Sequence, residues 1–531
     1  MDKITVTING RTIEAIPGQS VLQTALDNGI HIPHYCYHPG LPVAGNCRMC
    51  LVEIEGVPKL QIACGTTVRD GMVVWSNNDR VRQAVRHVLE FLLINHPVDC
   101  PVCDQAGECG LQEYYMLVGR YDSRFAENKV VKHKKATPIG RWVMLDQERC
   151  ILCSRCVRFT REITKTNEMA IFNRGDHAEI DVFPGGELHN RYSANIVDIC
   201  PVGALTCRDF RFRCRVWYLK QSPSVCPGCA RGCNIAIHFN PERPHHAGGR
   251  RVLRFKPRPN PHVNAFWLCD DGRYCYPFID DHRLRFAALR EEGGVRQLYL
   301  KDALDRLADW LRASRAGRTA YILSADASNE ELFAARKLMR DALGVRCLLP
   351  DTGLRTGDAD DFLICEDKHP NARGARILFG LAENDPVAPD RLGAALGAEP
   401  PELLLVNRAD LPGPLRDKLL AAGTRLVFLG TNDNATAAAA HLVVPLAVFA
   451  EQAGTFTNIE GRVQKFELAV PPLGDAAPEW SVHQGLAERL GIDLAFPGPA
   501  AIFRQLAAEV DAFRGLSHES LTPYGAMIRH E

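Results

Sequence analysis

The sequence lacks an excess of charge of either sign and lacks long apolar runs. Its 531 residues include 63 Lys and Arg against 63 Asp and Glu, so the overall charge gives no reason to expect a nucleic acid or a membrane surface as a partner. The longest uncharged apolar stretch, residues 442–450, is much shorter than the ~18 residues of a membrane span. Strand-like alternation begins at the start of the sequence, and we expect neither a signal nor a transit segment.

Motifs for binding nucleotides are also missing. No glycine-rich dinucleotide fingerprint follows a predicted strand, so neither NADH nor flavin is expected to bind this chain. A basic run with interleaved aromatics lies at residues 208–215, but a solvated strand or a seam against an acidic neighbour is favoured there over RNA or DNA binding. With 46% hydrophobic and 24% charged residues the chain can bury ordinary cores, and its length indicates several domains.

Cysteine, by contrast, is abundant. Fifteen of the 20 cysteines, together with one histidine, form four groups before residue 270 whose ligand number and spacing are typical of iron–sulfur clusters. In the reducing cytoplasm expected for this chain, such spacings indicate metal or redox centres rather than disulfides. We therefore predict sixteen metal ligands and no catalytic residue of the chain's own.

The first ligand set resembles that of plant-type [2Fe–2S] ferredoxins. It has the spacing C-x10-C-x2-C-x13-C and consists of Cys36, Cys47, Cys50 and Cys64. Such ferredoxins share the inner pair and the distant fourth cysteine but have a shorter first gap. The C-Y-H sequence at 36–38 suggests a Rieske centre, yet the second half of that motif is absent. His34 and His38 are therefore expected to be packing or supporting residues.

The second ligand set combines three thiols with an imidazole. It has the spacing H-x3-C-x2-C-x5-C and consists of His96, Cys100, Cys103 and Cys109. Such a set can also hold zinc, and His96 alone could be a helix-end residue before Pro97, so both alternatives stay open. In a [4Fe–4S] cluster, a neutral imidazole in place of a thiolate makes the group less negative and easier to reduce.

The third ligand set keeps half of a bacterial two-cluster ferredoxin pattern. It consists of Cys150, Cys153, Cys156 and the remote Cys200, which Pro201 follows. The full pattern repeats C-x2-C-x2-C-x3-C-P, each terminal cysteine serving the other cluster. Here the first repeat ends in Thr160, and the positions that would complete the second are Asn190, Ser193 and Ile196. One [4Fe–4S] site is therefore retained and the other is lost.

The fourth ligand set is the most tightly spaced. It has the spacing C-x2-C-x3-C-x35-C and consists of Cys226, Cys229, Cys233 and Cys269. This spacing is too tight for a usual zinc finger and suits three corners of a [4Fe–4S] cubane. Five cysteines remain, and we expect them to be small buried hydrophobes, although two could be spare ligands because they lie close to the sets in sequence. The five are Cys207, Cys214, Cys275, Cys347 and Cys365, and the possible spares are Cys207 and Cys214.

The order of predicted elements indicates a multidomain protein of α+β and α/β class. A hairpin around Asn9-Gly10, a helix from Ser20 to Gly29 and a strand after Cys50 predict a β-grasp unit over residues 1–80. Residues 81–119 are mostly helical, the main helix ending at Pro97, and residues 120–220 are mixed. Residues 221–275 contain a hairpin across 240–250, and alternating strands and helices over 276–531 predict a doubly wound, mainly parallel sheet.

Together these motifs resemble one family along almost the full length of the chain. That family is the large iron–sulfur subunit of respiratory complex I, the G subunit of bacterial NADH-quinone oxidoreductase. The matching stretches are PVAGNCRMCLVE, NHPVDCPVCDQAGECGLQ, CILCSRCVRFTRE with DICPVGALT, CPGCARGCNI with FWLCDDGR, and GTFTNIEGRVQ, the last typical of the molybdopterin-oxidoreductase fold.

The resemblance implies one [2Fe–2S] and three [4Fe–4S] clusters. The first, third and second sets would hold the centres called N1b, N4 and N5, and the fourth would hold N7, which is regarded as off the main path. The implied domains are a [2Fe–2S] ferredoxin-type β-grasp (1–80), a His(Cys)3-ligated [4Fe–4S] domain (81–119), a ferredoxin-like [4Fe–4S] domain (120–220), a [4Fe–4S] domain of the molybdenum-enzyme type (221–275) and a degenerate molybdopterin-oxidoreductase-like α/β domain (276–531).

No molybdenum cofactor is expected in the last of these domains. Its length of about 255 residues is short for a complete one, and no convincing glycine loop for pterin nucleotides is present. Cys365 lies 96 residues beyond Cys269, where a formate dehydrogenase could place its metal ligand, but the surrounding DDFLICEDKHPNARG is acidic and unlike such a site. A degenerate fold kept for structure is favoured.

Partners and location also follow from the resemblance. Electrons would arrive from the flavin-bearing, NADH-binding subunit, with a small [2Fe–2S] subunit nearby, and leave toward the quinone-module subunits. The chain would then be a peripheral subunit on the cytoplasmic side of the bacterial inner membrane, touching the membrane only through the complex. The alternative is the iron–sulfur subunit of a soluble NAD-linked hydrogenase or formate dehydrogenase, and a zinc-stapled scaffold is the alternative of another class.

Overall fold

The structure is a computed structural model and describes residues 3–243, 245, 248–291, 293–315, 317–350, 357–381, 387–388 and 391–529. The chain divides into two compact units, Met1–Leu219 and Lys220–Glu531. The first unit carries the first three ligand sets, and the second carries the fourth. None of the helices in the described residues combines the length and the apolar composition that crossing a bilayer would require.

The first unit begins with a five-stranded sheet in the order β2-β1-β5-β3-β4, in which only β1 and β5 are parallel. The Asn9-Gly10 hairpin is confirmed, because both residues have positive φ and the strands pair from Ile8 to Arg11. Ser20 caps the helix as predicted, accepting from the Gln23 amide. The elements are β1 (Ile4–Ile8), β2 (Arg11–Ala15), α1 (Val21–Asp27), β3 (Leu51–Ile54), β4 (Gln61–Ile62) and β5 (Met72–Trp75).

Two helices follow, α2 (Asp79–Leu93) and α3 (Gly110–Val118). The main helix was predicted to run to Pro97 but ends at Leu93. The Lys129 ammonium donates to the carbonyl oxygens of Leu93 and Ile94, at 2.8 and 2.9 Å, and so satisfies acceptors at the helix end. The residues before Pro97 are thereby left outside the helix, and His96 lies in a loop.

The remainder of the first unit is built from short elements. A three-stranded antiparallel sheet has the order β10-β7-β6, and β8 and β9 form a separate hairpin. The turn after α4 widens into a π-helix at Phe159–Ile163. The elements are β6 (Thr137–Pro138), β7 (Val143–Leu145), α4 (Arg155–Arg158), β8 (Met169–Phe172), β9 (Glu179–Val182), α5 (Asn195–Ile199) and β10 (Leu205–Cys207).

The second unit opens with the three-stranded antiparallel sheet that carries the fourth ligand set. It is formed by β11 (Lys220–Val225), β12 (Asn234–Phe239) and β13 (Val252–Pro257), and the helix α6 (Asp270–Tyr274) follows. The predicted hairpin across 240–250 is confirmed by the pairing of β12 with β13. Residues 244, 246 and 247 of its turn lie outside the described residues.

A doubly wound α/β sheet completes the chain, as predicted. Its order is β15-β14-β20-β19-β18-β16-β17, with the five strands from β20 to β17 parallel. Alternate residues of β18 pack into different cores on the two faces, Leu405 into one and Leu404 into the other. The strands are β14 (Ala287–Glu291), β15 (Gly294–Leu298), β16 (Thr319–Ile322), β17 (Arg346–Leu348), β18 (Leu403–Asn407), β19 (Arg425–Gly430) and β20 (Leu442–Pro445).

Helices cover both faces of this sheet, and a small antiparallel sheet packs beside it. The helices are α7 (Leu300–Ala313), α8 (Asn329–Ala335), α9 (Ala372–Phe379), α10 (Leu392–Ala395), α11 (Gly413–Ala421), α12 (Ala435–Ala439), α13 (Glu479–Leu490) and α14 (Pro499–Glu509). The small sheet contains β21 (Gly454–Thr457), β22 (Arg462–Phe466) and β23 (Ala526–Met527).

Candidate metal centres

The structure brings the four thiols of the first ligand set together. Three of them lie in the loop between α1 and β3, and Cys64 lies in a 3-10 helix after β4. Each thiol is close enough to another member of the set to shift its pKa, Cys36 being near Cys47 and Cys64, and Cys50 being near Cys64. The neighbouring Cys47 and Cys64 thiols lower the pKa of the Cys36 thiol, and the Cys36 amide donates to Cys47 Sγ at 3.4 Å. Amide donation to sulfur is one way in which a protein tunes a cluster.

The two histidines near this set make local contacts. His34 Nδ1 lies 2.8 Å from the Ile32 carbonyl oxygen, and His38 Nδ1 accepts from the Gly40 amide at 3.1 Å. Burial lowers the pKa of both imidazoles, that of His38 to about 4. Both are therefore neutral at physiological pH and engaged with backbone, in keeping with a packing role.

The second ligand set lies in the loop between α2 and α3. Cys100 begins a 3-10 helix, and Cys109 is the residue before the first turn of α3. Arg215 donates to the carbonyl oxygens of Pro101 and Cys103, at 2.6 and 2.5 Å, and holds this loop from outside. Arg149, which is buried, pairs with Asp99 at 2.6 Å. The segment that carries Cys100 and Cys103 is thus held on one side through Asp99 and on the other through the Cys103 carbonyl oxygen.

His96 presents an unpaired ring nitrogen. Its Nδ1 is buried and has no hydrogen-bond partner, and burial lowers the pKa of the imidazole to about 4. A buried polar atom without a partner is costly and calls for an explanation, such as a role in binding a metal. A neutral imidazole is the form that binds a metal, so the His96 environment fits a ligand role.

The third ligand set is formed by a tightly curled segment and a remote loop. Leu152 and Ser154 have left-handed φ angles of 53° and 61°, although neither is glycine. This conformation curls residues 150–156 and directs the Leu152 amide at Cys150 Sγ, at 3.4 Å. Cys200 lies at the end of α5, close enough to this set that its thiolate would raise the pKa of Cys150 and of Cys156.

The donor chemistry of the third set fits a cationic group. Burial, reinforced by the neighbouring thiolates, raises the pKa of Cys150 and of Cys200 to about 12 and raises the pKa of Cys156 well above its ordinary value. Four thiolates therefore cannot coexist here unless positive charge compensates them, and bound iron supplies such charge. The segment also carries Arg155 and Arg158, whose charges favour the Cys153 thiolate.

One apolar core joins the first three ligand sets. Cys36, Cys109 and Cys153, one from each set, are buried in the same hydrophobic cluster, together with Tyr35 and Tyr114. Arg158 donates from Nη2 to the carbonyl oxygens of both Cys36 and Cys153. The three sets are thus neighbours in one water-excluding environment.

Gly203 joins the third set to the second. It lies three residues after Cys200, and a Cβ placed on it would clash with Cys103 Sγ. The Pro201 carbonyl oxygen, in the same loop, accepts from the Gly110 amide at 2.9 Å. The backbone of the third set therefore forms part of the wall around the second.

All four cysteines of the fourth ligand set are buried. The Cys226 amide donates to the Cys233 carbonyl oxygen at 2.8 Å between β11 and β12. Cys269 caps α6 and accepts from the Gly272 amide at 3.2 Å. A Cβ on Gly272 would lie only 2.9 Å from Cys226 Sγ and 3.3 Å from Cys269 Sγ. This close approach leaves room for sulfur, and for what sulfur binds, only because residue 272 has no side chain.

In the part of the chain that the structure describes, no group of three or more His, Cys, Asp or Glu side chains converges on the position of a single ion. In a [4Fe–4S] cluster each protein ligand binds a different iron atom, and in a [2Fe–2S] cluster two ligands share each iron, so the four ligands surround a group rather than a single ion. The donors, burial and contacts of each set therefore decide whether a cluster fits.

Two further cysteines lie beside the fourth set, although the sequence analysis expected both to be small buried hydrophobes. Cys275 is close enough to raise the pKa of the Cys226 thiol, and Cys365 packs against Cys229. The spares suggested by sequence were instead Cys207, which lies in β10, and Cys214, whose thiol donates to the Arg215 carbonyl oxygen. Cys275 is close to Cys269 in sequence and could have been suspected. Cys365 is brought in only by the fold.

A cavity of about 440 Å³ lies at the carboxyl ends of the parallel strands, beside the fourth set. This edge of an open α/β sheet is where ligands usually bind. Its charged lining consists of Asp326, Glu331, Arg408 and Asp433. Arg408 is already paired with Glu331 at 2.8 Å and with the buried Glu479 at 2.5 Å. This lining is acidic and therefore does not fit a cofactor that carries several phosphates.

The basic run at residues 208–215 contacts other parts of this chain. Arg208 donates to the carbonyl oxygens of Gly140 and Arg141, and Arg213 pairs with Asp209 at 2.8 Å. With Arg215 bound to the second ligand loop, these arginines stabilise the first unit.

Sequence models of four families match successive parts of the chain. Their descriptions are "2Fe-2S iron-sulfur cluster binding domain" for residues 1–79, "NADH-ubiquinone oxidoreductase-G iron-sulfur binding region" for residues 86–124, "NADH-quinone oxidoreductase subunit 3, ferredoxin-like domain" for residues 140–206 and "Molybdopterin oxidoreductase" for residues 415–489. These matches confirm the predicted fold class.

Curated relatives match along the whole chain. The chain is 30% identical to the G subunit of NADH-quinone oxidoreductase from Rickettsia felis over an alignment of 626 positions, gaps included, which covers 97% of this chain and 91% of that protein. It is 38% identical to the corresponding G subunit of Streptomyces coelicolor over 388 residues, covering 72% of this chain and 44% of that protein.

Solved structures show more distant likeness. An NAD+-reducing [NiFe]-hydrogenase in the H2-reduced state has 31% identity and a TM-score of 0.36, covering 39% of this chain and 89% of the hydrogenase chain. Acetylene hydratase from Pelobacter acetylenicus has 10% identity and a TM-score of 0.39, covering 58% of this chain and 74% of the hydratase.

Proposed function

Because the chain belongs to the family of NADH-quinone oxidoreductase G subunits, we propose that it relays single electrons from the flavin-bearing subunit toward quinone through clusters bound by its four ligand sets. In the whole complex this transfer would be coupled to proton translocation. The observation that carries the proposal is the single apolar core shared by cysteines of the first three sets. Electron transfer needs neighbouring centres in a dry environment, and this core would provide both.

We assign a [2Fe–2S] cluster to the first set and [4Fe–4S] clusters to the other three. Bound there, each cluster would accept and pass on one electron. The chain's residues hold the thiolates, exclude water and direct amides at sulfur, as the Cys36 and Leu152 amides do. The buried, unpaired His96 Nδ1 supports an imidazole ligand in the second set.

The fourth set is proposed to lie off the main path. It is in the second compact unit, and the first three sets are in the first. Its cluster would then stabilise the fold around β11, β12 and α6 rather than conduct.

We also propose that residues 276–531 hold no molybdenum cofactor. The acidic lining of the 440 Å³ cavity, in which Arg408 is already neutralised, supports this. A pterin nucleotide in this cavity would bring its negative phosphates toward the carboxylates of Glu331 and Asp433. The positive charge of Arg408 would not offset that repulsion, because Arg408 is already paired with Glu331 and Glu479. Molybdenum or tungsten at stoichiometric level would overturn this part of the proposal.

The exit toward the quinone module is proposed to lie beside the second ligand set. A cavity of about 920 Å³, lined by His96, Cys100 and Cys109, opens there. Phe91 and Met116 also line it, although their side chains are 73% and 63% exposed. Large exposed apolar side chains beside a redox centre indicate a surface that another subunit covers. The chain would meet the membrane only through such subunits, on the cytoplasmic side.

The alternative, an iron–sulfur subunit of a soluble NAD-linked hydrogenase or formate dehydrogenase, uses the same first three sets. The relatives that extend over the whole chain are G subunits of NADH-quinone oxidoreductase, so the complex I role is favoured. The discriminating measurement is which electron donor and acceptor the assembly uses. Complex I would reduce a quinone analogue, whereas the alternative would take electrons from hydrogen or formate.

Two experiments test the proposal. Full-length protein purified without air should be brown and contain about fourteen irons, from one [2Fe–2S] and three [4Fe–4S] clusters. A colourless preparation loaded with zinc would contradict it. In the assembled complex, C153A should abolish NADH-to-quinone transfer while C233A should leave most of it. Equal loss in both variants would place the fourth cluster on the path.

A further inference from the structure

The thiol of Cys365 lies against a member of the fourth ligand set. Its side chain packs with those of Cys229 and Ala230 in a small buried hydrophobic cluster of their own, and the two thiols are close enough for each to shift the pKa of the other. Cys365 is 96 residues beyond the last cysteine of the motif, Cys269. The fold, and not the local sequence, therefore gives this site a fifth thiol.

The segment that carries Cys365 is fixed to the turn that carries Cys229. The Ala230 amide donates to the Asp367 carbonyl oxygen at 2.9 Å, and Arg231 Nε donates to the Leu363 carbonyl oxygen at 3.3 Å. These two bonds flank Cys365 in sequence on both sides. The contact between the two thiols is thus held by backbone and does not depend on the thiols alone.

The thiol of Cys365 is bound less tightly to its own backbone than that of the other additional cysteine. Cys275 donates its thiol at 3.3 Å to the Gly272 carbonyl oxygen within its own helical turn. The corresponding contact of Cys365, to the Leu363 carbonyl oxygen, is 3.9 Å long and weak. Turning the Cys365 side chain toward the site therefore breaks little.

We propose that Cys365 is a reserve ligand of the fourth site, able to bind the iron that Cys229 binds when the Cys229 thiolate is lost. The inference rests on the proposed cluster in the fourth set. In the exchange, the bond between iron and the Cys229 sulfur would break and that sulfur would take up a proton, while Cys365 would give its proton to solvent and bind the same iron as a thiolate, so the site would keep four thiolates and the same total charge. No oxidant or reductant is needed.

Variants of the full-length chain, purified without air, test this inference by iron and sulfide content. C229A should keep the iron content of the unsubstituted chain, with an altered EPR spectrum of the reduced fourth cluster. C365A should keep both the iron content and the spectrum. The double variant C229A/C365A should lose about four irons. Alanine is used because a serine oxygen could itself bind iron.

Two controls separate the possible failures. C233A removes a thiol whose pKa is raised by burial and by the other members of the set, Cys226, Cys229 and Cys269, and it should lose about four irons. C347A removes a cysteine of β17 and should change nothing. If C229A loses as much iron as C233A, Cys365 is not a ligand and the fourth cluster still stands. If C233A keeps all its iron, the fourth cluster itself is wrong and the reserve ligand falls with it.

Discussion

The Arg158 guanidinium donates a hydrogen bond to the carbonyl oxygen of Cys36, a residue 122 positions earlier in the chain. Arg158 is 5% exposed, and it donates as well to the carbonyl oxygens of Pro42 and Cys153. One side chain of the third ligand segment thereby holds the loop of the first set in place. The two sets are fixed relative to each other by a polar contact inside an otherwise apolar core.

Replacing this arginine should loosen both sets. R158A leaves buried carbonyl oxygens without donors, at about 1–3 kcal/mol for each one that water does not reach. We expect a lower thermal midpoint and loss of iron from the first and third sets on gel filtration. R161A is the control, because Arg161 is 57% exposed and pairs with Glu162. Equal iron retention in R158A and R161A would show that the contact does not position the sets.

Adding one methyl group at Gly203 should empty the second set. The Cβ of G203A would overlap Cys103 Sγ, and the loop carrying Cys200 would have to move away from the second ligand loop. We expect loss of about four irons and of the corresponding EPR signal. G293A is the control, since a Cβ there meets nothing within 4 Å. A G203A protein with full iron content would contradict the close approach.

Changing the proposed imidazole ligand to a thiolate should lower a reduction potential. H96C makes the second set all-cysteine and adds one negative charge to the bound group, so the reduced form is disfavoured. An EPR-monitored redox titration should show a lower midpoint for this cluster alone. H177C, at a side chain that is 80% exposed, controls for the added thiol. An unchanged midpoint in H96C would remove His96 from the ligand set.

A charge on the apolar rim of the 920 Å³ cavity should impair assembly of the complex. F91R places an arginine where a neighbouring subunit is proposed to pack, and the uncompensated charge weakens that interface. The iron content of the isolated chain should not change. V131R is the matched control, because Val131 is 79% exposed and does not line the cavity. Native electrophoresis of membranes would show whether F91R, but not V131R, reduces the intact complex.

The buried carboxylate of Glu479 makes the second unit sensitive to acid. Arg408, with hydrogen bonds from His483 and Tyr321, holds the pKa of Glu479 at about 2, below its ordinary value of 4.5. A depressed carboxylate pKa stabilises the fold above pH 4.5, and this contribution is lost as the pH falls toward 2. At pH 7 it amounts to about 3 kcal/mol.

E479Q removes this contribution and leaves Arg408 short of one partner. The urea midpoint of the second unit should therefore fall at pH 7. The difference in the free energy of unfolding between E479Q and the unsubstituted chain should be about 1 kcal/mol smaller at pH 4 than at pH 7. E488Q is the control in the same helix, where Glu488 makes an exposed hydrogen bond with Gln484. A pH-independent difference would contradict the assigned role of Glu479.

Local sequence signals predicted the elements well. The Asn9-Gly10 turn, the Ser20 cap and the pairing of the two strands on either side of residues 240–250 each depend on neighbouring residues, and all three appear as predicted. Motif spacing likewise identified the cysteines as candidate ligands, because ligands that are near in sequence can surround a small group.

Contacts between distant segments could not be predicted in this way. Nothing near Arg158 indicates that its guanidinium reaches the Cys36 carbonyl, and nothing near Cys365 indicates that it meets Cys229. The left-handed backbone of Leu152 and Ser154 was also missed, because both residue types ordinarily avoid it and the curl of the ligand segment imposes it. These features depend on tertiary structure.

The common core of the first three ligand sets has a consequence for biogenesis. Since cysteines of all three sets pack into one cluster, a set without its inorganic group would leave a hole in a core that the other two sets share. A defect in delivering one of the three groups would therefore lower the stability of the whole first unit and expose it to proteolysis, even while the other two sets keep their groups.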